Sequence, residues 1–217
     1  MTGQTPTIET VMTTAPVIPV VTVTDAETAV PLAAALVRGG LPVIEITLRT
    51  PAGIEAIRRI SREVPDAIVG AGTVLNARDV VAAREAGAAF GVSPGLTSAL
   101  IAALADHGDD GGRRWPFLPG IATASEAMAA MEAGYDRVKL FPATVTGGTA
   151  LIKALSAPFP QLRFCPTGGI TAETAGSFLN LPAVACVGGS WLTPKDAVEA
   201  GDWQRVEDLA RTAAALA

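Results

Sequence analysis

The chain has 217 residues, of which 49% are hydrophobic and 17% are charged, and its formal net charge is −5. This composition favours one folded domain over residues 1–217 with a large apolar core, and it excludes a disordered chain. An acidic chain without a cluster of basic residues has no charge attraction to phosphate backbones, so we expect no nucleic-acid partner.

The amino-terminal region has no pattern of a targeting or membrane segment. The first basic residue is Arg38, and the apolar run at residues 17–23 is far shorter than a membrane span. We therefore expect a cytoplasmic protein without a membrane partner. Cys165 and Cys186 each lie in an apolar, strand-like run, and we expect two reduced thiols in the core rather than a disulfide.

Strand-like and helix-like segments alternate along the chain after a short amphipathic lead at residues 8–12. The predicted strands cover residues 17–23, 43–48, 67–71, 90–93, 116–119, 137–141, 163–167 and 183–187. Helical segments rich in Ala, Leu, Glu and Arg separate them, and this alternation requires parallel strands joined by crossover helices. Eight such units predict an α/β fold, a single (β/α)8 TIM barrel with a short N-terminal helix.

Three threonines mark predicted helix starts. Thr24 and Thr123 each stand three residues before a glutamate, which is capping-box spacing, and Thr50 directly precedes a proline. We predict that all three cap helices.

The predicted second strand breaks the apolar pattern of its neighbours. Because Ile44 and Ile46 are expected to face the helices, alternation sends Glu45, Thr47 and Arg49 to the barrel interior. Charged groups there are costly unless they are paired or belong to a site. One alternative is a buried Glu45–Arg49 ion pair without chemistry. The polar residues lie near the carboxyl end of the strand, where barrel enzymes have their active sites, which favours a functional role.

The predicted sixth strand places a lysine inside the barrel. The chain has three lysines, Lys139, Lys153 and Lys195, and Lys139 is the one flanked by hydrophobic residues at an inward-facing strand position. Phe141 is expected on the same side. Burial disfavours the ammonium and so favours the neutral amine that can attack a carbonyl. The alternative is an ammonium that serves only as an ion partner of Glu45.

Two glycine pairs follow the last two predicted strands. Gly168 and Gly169 end the seventh strand, and Gly188 and Gly189 follow the eighth. Backbone N–H groups at these turns of a barrel can converge on a phosphate. The sequence therefore predicts a phosphate site, with two tight turns as the alternative.

The sequence has few residues that could bind a metal ion, and it lacks a complete motif for binding a dinucleotide. His107 is the single histidine, and it lies in a polar, glycine-rich stretch at residues 106–114 that we expect on the opposite, amino-terminal face. One histidine and two core cysteines cannot assemble a His-rich catalytic metal site. The run at residues 70–73 lacks the third glycine of a dinucleotide fingerprint. We expect no metal and no cofactor.

Together these residues resemble the 2-keto-3-deoxy-6-phosphogluconate (KDPG) aldolase / 4-hydroxy-2-oxoglutarate aldolase family over residues 11–209. The matching runs are EITLRT (45–50), VGAGTV (69–74), SPG (93–95), KLFPA (139–143), RFCPTGGI (163–170) and GGSW (188–191). The resemblance implies a class I aldolase that cleaves KDPG to pyruvate and D-glyceraldehyde 3-phosphate. It also implies activity on 4-hydroxy-2-oxoglutarate and assembly as a homotrimer.

The resemblance assigns a role to each matching residue. Lys139 forms the Schiff base with the substrate and Glu45 is the general acid/base. The remaining residues bind the substrate, and all follow or end predicted strands. Arg49 and Thr73 hold the carboxylate, Pro94 and Phe141 pack against the pyruvyl half, Thr167 contacts hydroxyls, and Gly168, Gly169, Gly189 and Ser190 bind the phosphate.

Three other functions remain open. The first is an aldolase for the C4-epimeric galactonate substrate, although Thr167 favours the gluconate series because we expect an apolar residue there in the galactonate enzymes. The second is a phosphate-binding barrel isomerase or epimerase that uses Glu45 as a base without a covalent intermediate. The third is a sugar-phosphate binder without catalysis.

Overall fold

The computed structural model describes residues 6–107 and 114–216. Residues 108–113, the greater part of the polar stretch at residues 106–114, lie outside the described ranges. The expected position of that stretch on the amino-terminal face therefore stays a prediction.

Parallel strands form the centre of the described fold. They are β1 (Val17–Val21), β2 (Val43–Thr47), β3 (Ile68–Gly72), β4 (Phe90–Val92), β5 (Phe117–Leu118), β6 (Gly120–Ile121), β7 (Arg137–Leu140), β8 (Arg163–Pro166) and β9 (Val187–Gly189). A curled six-stranded sheet has the order β5-β4-β3-β2-β1-β9, and a three-stranded sheet has the order β6-β7-β8. The pairs within both sheets are parallel, which confirms the predicted α/β class.

Helices alternate with these strands. They are α1 (Ile8–Thr13), α2 (Ala29–Arg38), α3 (Gly53–Glu63), α4 (Ala77–Glu85), α5 (Ser98–His107), α6 (Ala124–Glu132), α7 (Gly148–Ser156), α8 (Ala172–Leu179), α9 (Lys195–Ala200) and α10 (Trp203–Ala214), with a 3-10 turn at Ala26–Thr28. The predicted lead helix is α1. Within the described ranges, no helix is both long enough and apolar enough to cross a membrane.

Two predicted strands differ from the structure. The strand predicted at residues 116–119 is shorter in the structure, because β5 ends before Pro119 and pairs with β4; a separate strand, β6, follows Pro119 and pairs with β7. The strand predicted at residues 183–187 is placed too early in the chain: Val184 forms an isolated bridge, but β9 begins at Val187 and continues through two glycines. Residues 183–187 have strand-like composition, but β1 pairs with Val187, Gly188 and Gly189. Pairing partners here override the low strand preference of glycine.

Of the three predicted caps, one is confirmed. Thr123 caps α6 by accepting a hydrogen bond from the backbone of Glu126. Thr24 and Thr50 do not cap helices: Asp25 caps the 3-10 turn that precedes α2, and α3 begins after Ala52. The Thr50 hydroxyl instead donates to the carbonyl of Val23 and ties two loops together.

Buried apolar side chains form two clusters on opposite faces of the strands. The outer cluster packs strand residues such as Ile44, Ile46 and Val138 against the helices. The inner cluster consists of Val11, Met12, Ile18, Val43, Phe90, Val92, Leu118, Cys165 and Cys186. Because alternate strand residues point to opposite faces, the inner cluster lies on the side that faces away from the outer helices, and α1 packs onto it. The predicted outward orientation of Ile44 and Ile46 is confirmed.

Two short connections link the sheets. Pro119 alone separates β5 from β6. Two isolated parallel bridges form the second connection: Phe164 in β8 pairs with Val184 before β9, and Thr167 directly after β8 pairs with Gly188 in β9.

Candidate active site

Five polar side chains are buried among the described residues, and all lie near the carboxyl ends of strands. They are Glu45, Thr47, Ser93, Lys139 and Thr167. Each sits within a strand or directly after one. We call the edge of the two sheets at which the parallel strands end the carboxyl edge. Buried polar groups cost stability unless they are hydrogen-bonded, so their concentration here marks a site rather than ordinary core.

Lys139 and Glu45 form a buried ion pair. Lys139 is 4% exposed and Glu45 is 3% exposed. The Lys139 Nζ lies 3.1 Å from Glu45 Oε1 and 3.3 Å from Oε2. The centre of the Phe141 ring is 5.5 Å from the same nitrogen. The predicted inward positions of Lys139 and Glu45 are confirmed, and the amine has one carboxylate within reach of proton transfer.

A glycine leaves the space that the Glu45 carboxylate occupies. Gly72 on β3 pairs with Thr47 on β2. A Cβ at Gly72 would collide with Glu45 Oε1 and would lie 2.6 Å from its Cγ. This role of Gly72 was not predicted from the sequence, although a glycine inside a strand is a signal that another group approaches closely.

Arg49 lies at the carboxyl edge and not in the interior, so its predicted inward position is wrong. β2 ends at Thr47, and strand alternation therefore does not extend to Arg49, which is exposed. The predicted alternative of a buried Glu45–Arg49 ion pair is wrong too, because Glu45 pairs with Lys139. The Arg49 Nε donates to Thr73 Oγ1 at 3.2 Å, as expected if the two residues act together.

Thr73 has an unusual backbone conformation. Its φ is 61°, in the left-handed region that β-branched residues rarely adopt. Such strain persists where the surrounding structure requires it, and it is common at functional sites. Here it follows directly after Gly72 and presents the Thr73 hydroxyl to Arg49.

Pro94 and Phe141 stand in the loops after β4 and β7. The backbone of Pro94 packs closely against Gly120, since a Cβ at Gly120 would collide with the Pro94 carbonyl group. The Phe141 ring lies against the loop after β8, since a Cβ at Gly168 would be 3.3 Å from it. Both side chains are partly buried at the carboxyl edge.

The two predicted glycine pairs adjoin each other. Thr167 forms a parallel bridge with Gly188, and a Cβ at Gly188 would lie 2.9 Å from Thr167 Cγ2. Gly168 and Gly169 have φ values of 101° and 76°, a region that favours glycine. Gly169 is exposed, as is Ser190, which follows Gly189. The loops after β8 and β9 therefore lie side by side at the carboxyl edge.

The two cysteines lie in the inner cluster and are free, which confirms the predicted reduced thiols. A hydrogen bond with Cys165 together with burial raises the pKa of Cys186 well above its usual value. The Cys165 Sγ is 3.8 Å from Thr167 Oγ1. Cys165 thus contacts the Thr167 side chain from within the inner cluster. Both cysteines are buried, so neither offers an exposed nucleophile.

Groups that suit a metal ion are few near this site. Among the described residues, no three His, Cys, Asp or Glu side chains cluster in a way that could hold a metal. His107 is the last residue of α5, next to the residues outside the described ranges.

A family model described as "Aldolase: KDPG and KHG aldolase" matches residues 8–209. The KHG/KDPG aldolase of Escherichia coli (strain K12) is 50% identical over 205 residues, which cover 94% of this chain and 93% of the relative. The 2-dehydro-3-deoxy-phosphogluconate aldolase of Pseudoalteromonas atlantica is 50% identical over 200 residues, covering 92% and 90%.

A solved structure with a similar fold holds a reaction intermediate. It is the KDPG aldolase from Legionella pneumophila, with pyruvate captured at low pH as a covalent carbinolamine intermediate. This chain is 40% identical to it with a TM-score of 0.92, and the similarity covers 98% of this chain and 100% of that one. A carbinolamine forms when an amine adds to a carbonyl, so that protein reacts through an amine.

Proposed function

Because the chain belongs to the KDPG and KHG aldolase family, we propose that it is a class I aldolase that cleaves KDPG reversibly to pyruvate and D-glyceraldehyde 3-phosphate. The observation that carries this proposal is the buried Lys139–Glu45 pair, with Nζ 3.1 Å from Oε1. The name of the E. coli relative supports a second reaction, cleavage of 4-hydroxy-2-oxoglutarate to pyruvate and glyoxylate. Neither reaction requires a metal or a cofactor, since an iminium can serve as the electron sink.

The first half of the proposed mechanism attaches the substrate. Glu45 accepts a proton from the Lys139 ammonium, and the neutral amine adds to the C2 carbonyl of KDPG to give a carbinolamine. Glu45 returns the proton to the C2 hydroxyl, which leaves as water, and a cationic iminium remains. Both residues are almost fully buried, so little solvent competes for this proton.

The second half breaks the carbon–carbon bond. The Glu45 carboxylate, directly or through a water, removes the proton of the C4 hydroxyl. The C3–C4 electron pair moves toward the iminium, which releases glyceraldehyde 3-phosphate and leaves a neutral enamine. The same carboxyl group then protonates C3, and water hydrolyses the resulting iminium to pyruvate and the free lysine. One carboxyl group thus serves each proton transfer in turn.

Substrate binding in this proposal follows the arrangement of the carboxyl edge. An arginine fork suits a carboxylate, and backbone N–H groups of the glycine loops suit a phosphate. The assignments are Arg49 and Thr73 for the carboxylate, Pro94 and Phe141 for the pyruvyl half, Thr167 for hydroxyls, and Gly168, Gly169, Gly189 and Ser190 for the phosphate.

The larger architecture is also part of the proposal. We infer that the two sheets close into one (β/α)8 TIM barrel over residues 1–217, because Pro119 alone divides β5 from β6 and the bridge between Thr167 and Gly188 joins the end of β8 to β9. A homotrimer is proposed from the resemblance, and a cytoplasmic location stays the expectation drawn from the sequence. Val145 in the loop after β7 is 83% exposed, an apolar side chain that a subunit contact would cover.

Gly72→Ala is expected to lower kcat for KDPG cleavage by about 100-fold, because the added methyl displaces the Glu45 carboxylate from Lys139. The matched control is Gly176→Ala in α8, where a Cβ meets nothing within 4 Å. Steady-state kinetics of both variants check the prediction. A Gly72→Ala enzyme with the kcat of Gly176→Ala would show that the position of Glu45 does not limit the reaction.

The substrate assignment is tested by pyruvate release from three substrates: KDPG, its C4-epimeric galactonate and 4-hydroxy-2-oxoglutarate. We expect kcat/KM for KDPG to exceed that for the epimer by on the order of 10-fold or more, since the Thr167 hydroxyl is fixed by its surroundings. A preference for the epimer would favour the galactonate enzyme. Conversion of a sugar phosphate without pyruvate release would favour the isomerase, and no turnover at all would favour the silent binder.

A further inference from the structure

Thr144 lies against the glycine loop after β8, although it belongs to the loop after β7. The Thr144 side chain fills the space next to Gly169. A Cβ at Gly169 would collide with the Oγ1 atom of Thr144 and would lie 3.0 Å from the Cβ of Thr144. Gly168 is enclosed by the same loop, since a Cβ there would be 3.2 Å from Pro142 Cα. The loop that follows the lysine strand therefore shapes the turn proposed to bind the phosphate.

Two donors of Thr144 meet one carbonyl. The Thr144 backbone N–H donates to the Gly168 carbonyl at 3.2 Å, and the Thr144 hydroxyl donates to the same oxygen at 3.2 Å. One residue earlier, the Ala143 N–H donates to the Thr167 carbonyl at 2.8 Å. The peptide between Gly168 and Gly169 is thus fixed on its carbonyl side, even though two glycines give it little intrinsic stiffness.

The fixed carbonyl determines where the next N–H points. The Gly168–Gly169 peptide is trans, so its C=O and N–H groups point in opposite directions. Since the carbonyl accepts hydrogen bonds from Thr144, the Gly169 N–H points away from Thr144. The loop after β9 lies close to this turn, because Thr167 bridges to Gly188 and the chain continues from there to Ser190. Donors that hold the carbonyl also polarise the peptide and strengthen its N–H as a donor.

We propose that Thr144 is a positioning residue that fixes the Gly168–Gly169 peptide so that the Gly169 N–H faces the phosphate of the substrate. Thr144 thereby sets the preference for phosphorylated over unphosphorylated 2-keto acids. The inference rests on the proposed aldolase function and deepens it, because 4-hydroxy-2-oxoglutarate undergoes the same cleavage without a phosphate to bind.

Thr144→Val removes the hydroxyl at nearly constant volume. We expect the ratio of kcat/KM for KDPG to kcat/KM for 4-hydroxy-2-oxoglutarate to fall about 3- to 10-fold, mainly through KM for KDPG. Thr144→Ser keeps the hydroxyl and is expected to retain the ratio within about twofold. The matched control is Thr146→Val, in the same loop, whose hydroxyl donates to Pro142 and Ala143 and not to the glycine pair.

Binding of inorganic phosphate, measured by calorimetry, gives a readout that does not depend on turnover. We expect Thr144→Val to raise the Kd for phosphate by the same factor by which it lowers the ratio of the two kcat/KM values. The Kd of Thr146→Val is expected to equal that of wild type. An unchanged ratio and Kd in Thr144→Val, or an equal change in Thr146→Val, would overturn the inference. A wild-type protein that releases pyruvate from neither substrate contradicts the proposed function instead, and the phosphate titration still decides the role of Thr144.

Discussion

Replacing Lys139 with methionine is expected to lower kcat for KDPG cleavage by on the order of 10⁴-fold or more. Methionine is close to lysine in length and suits the apolar surroundings of β7, but it has no nucleophile, so the iminium cannot form. No second lysine can substitute, because Lys153 lies in α7 and Lys195 begins α9, and both are exposed. Pyruvate release in a coupled assay measures the loss.

Two further variants separate the nucleophile from the charge. Lys139→Arg retains a cation beside Glu45 but no amine that can form an imine, and we expect it to be as inactive as Lys139→Met. Lys153→Met removes an exposed lysine and is expected to retain wild-type kcat within about twofold. If either Lys139 variant kept more than a few per cent of wild-type activity at an unchanged melting temperature, Lys139 would not be the nucleophile.

Glu45→Gln is expected to lower kcat by about 10²- to 10⁴-fold, the usual contribution of a positioned acid/base. Glutamine has the same shape and can still hydrogen-bond to Lys139, so the variant removes proton transfer while the site keeps its packing. The exposed Glu85 at the end of α4 provides the matched control, Glu85→Gln.

Exchange of the pyruvate methyl protons in D₂O isolates the step assigned to Glu45. Wild type is expected to exchange them through the enamine, and Glu45→Gln is expected to slow the exchange by the same 10²- to 10⁴-fold as kcat. Exchange at the wild-type rate in Glu45→Gln, together with a low kcat, would assign the enamine proton to another group.

Strand alternation predicted the centre of the candidate site well. A period of two residues placed Glu45 and Lys139 on the inner face of their strands, and both are buried there. The rule needs only the local sequence and the identity of the apolar face. It failed at Arg49, because alternation ends where β2 ends, at Thr47, and the sequence does not mark that end.

Contacts between segments that are distant in the sequence could not be predicted from local sequence patterns. The eighth strand was misplaced because β9 is defined by its pairing with β1, which lies about 170 residues earlier in the chain, and glycines carry little strand signal. The fit of Glu45 against Gly72 and of Thr144 against Gly169 depends on how neighbouring strands align. Such fits exist only once the sheets have formed, and single-residue preferences do not encode them.

The central claim, that Lys139 forms a Schiff base with a 2-keto acid, is tested by incubating the protein with pyruvate and borohydride. Intact mass spectrometry and peptide mapping then locate the reduced adduct. We expect one pyruvyl group per chain on the peptide that contains Lys139, and none on Lys139→Arg. An unmodified Lys139, or an adduct confined to Lys153 or Lys195, would contradict it.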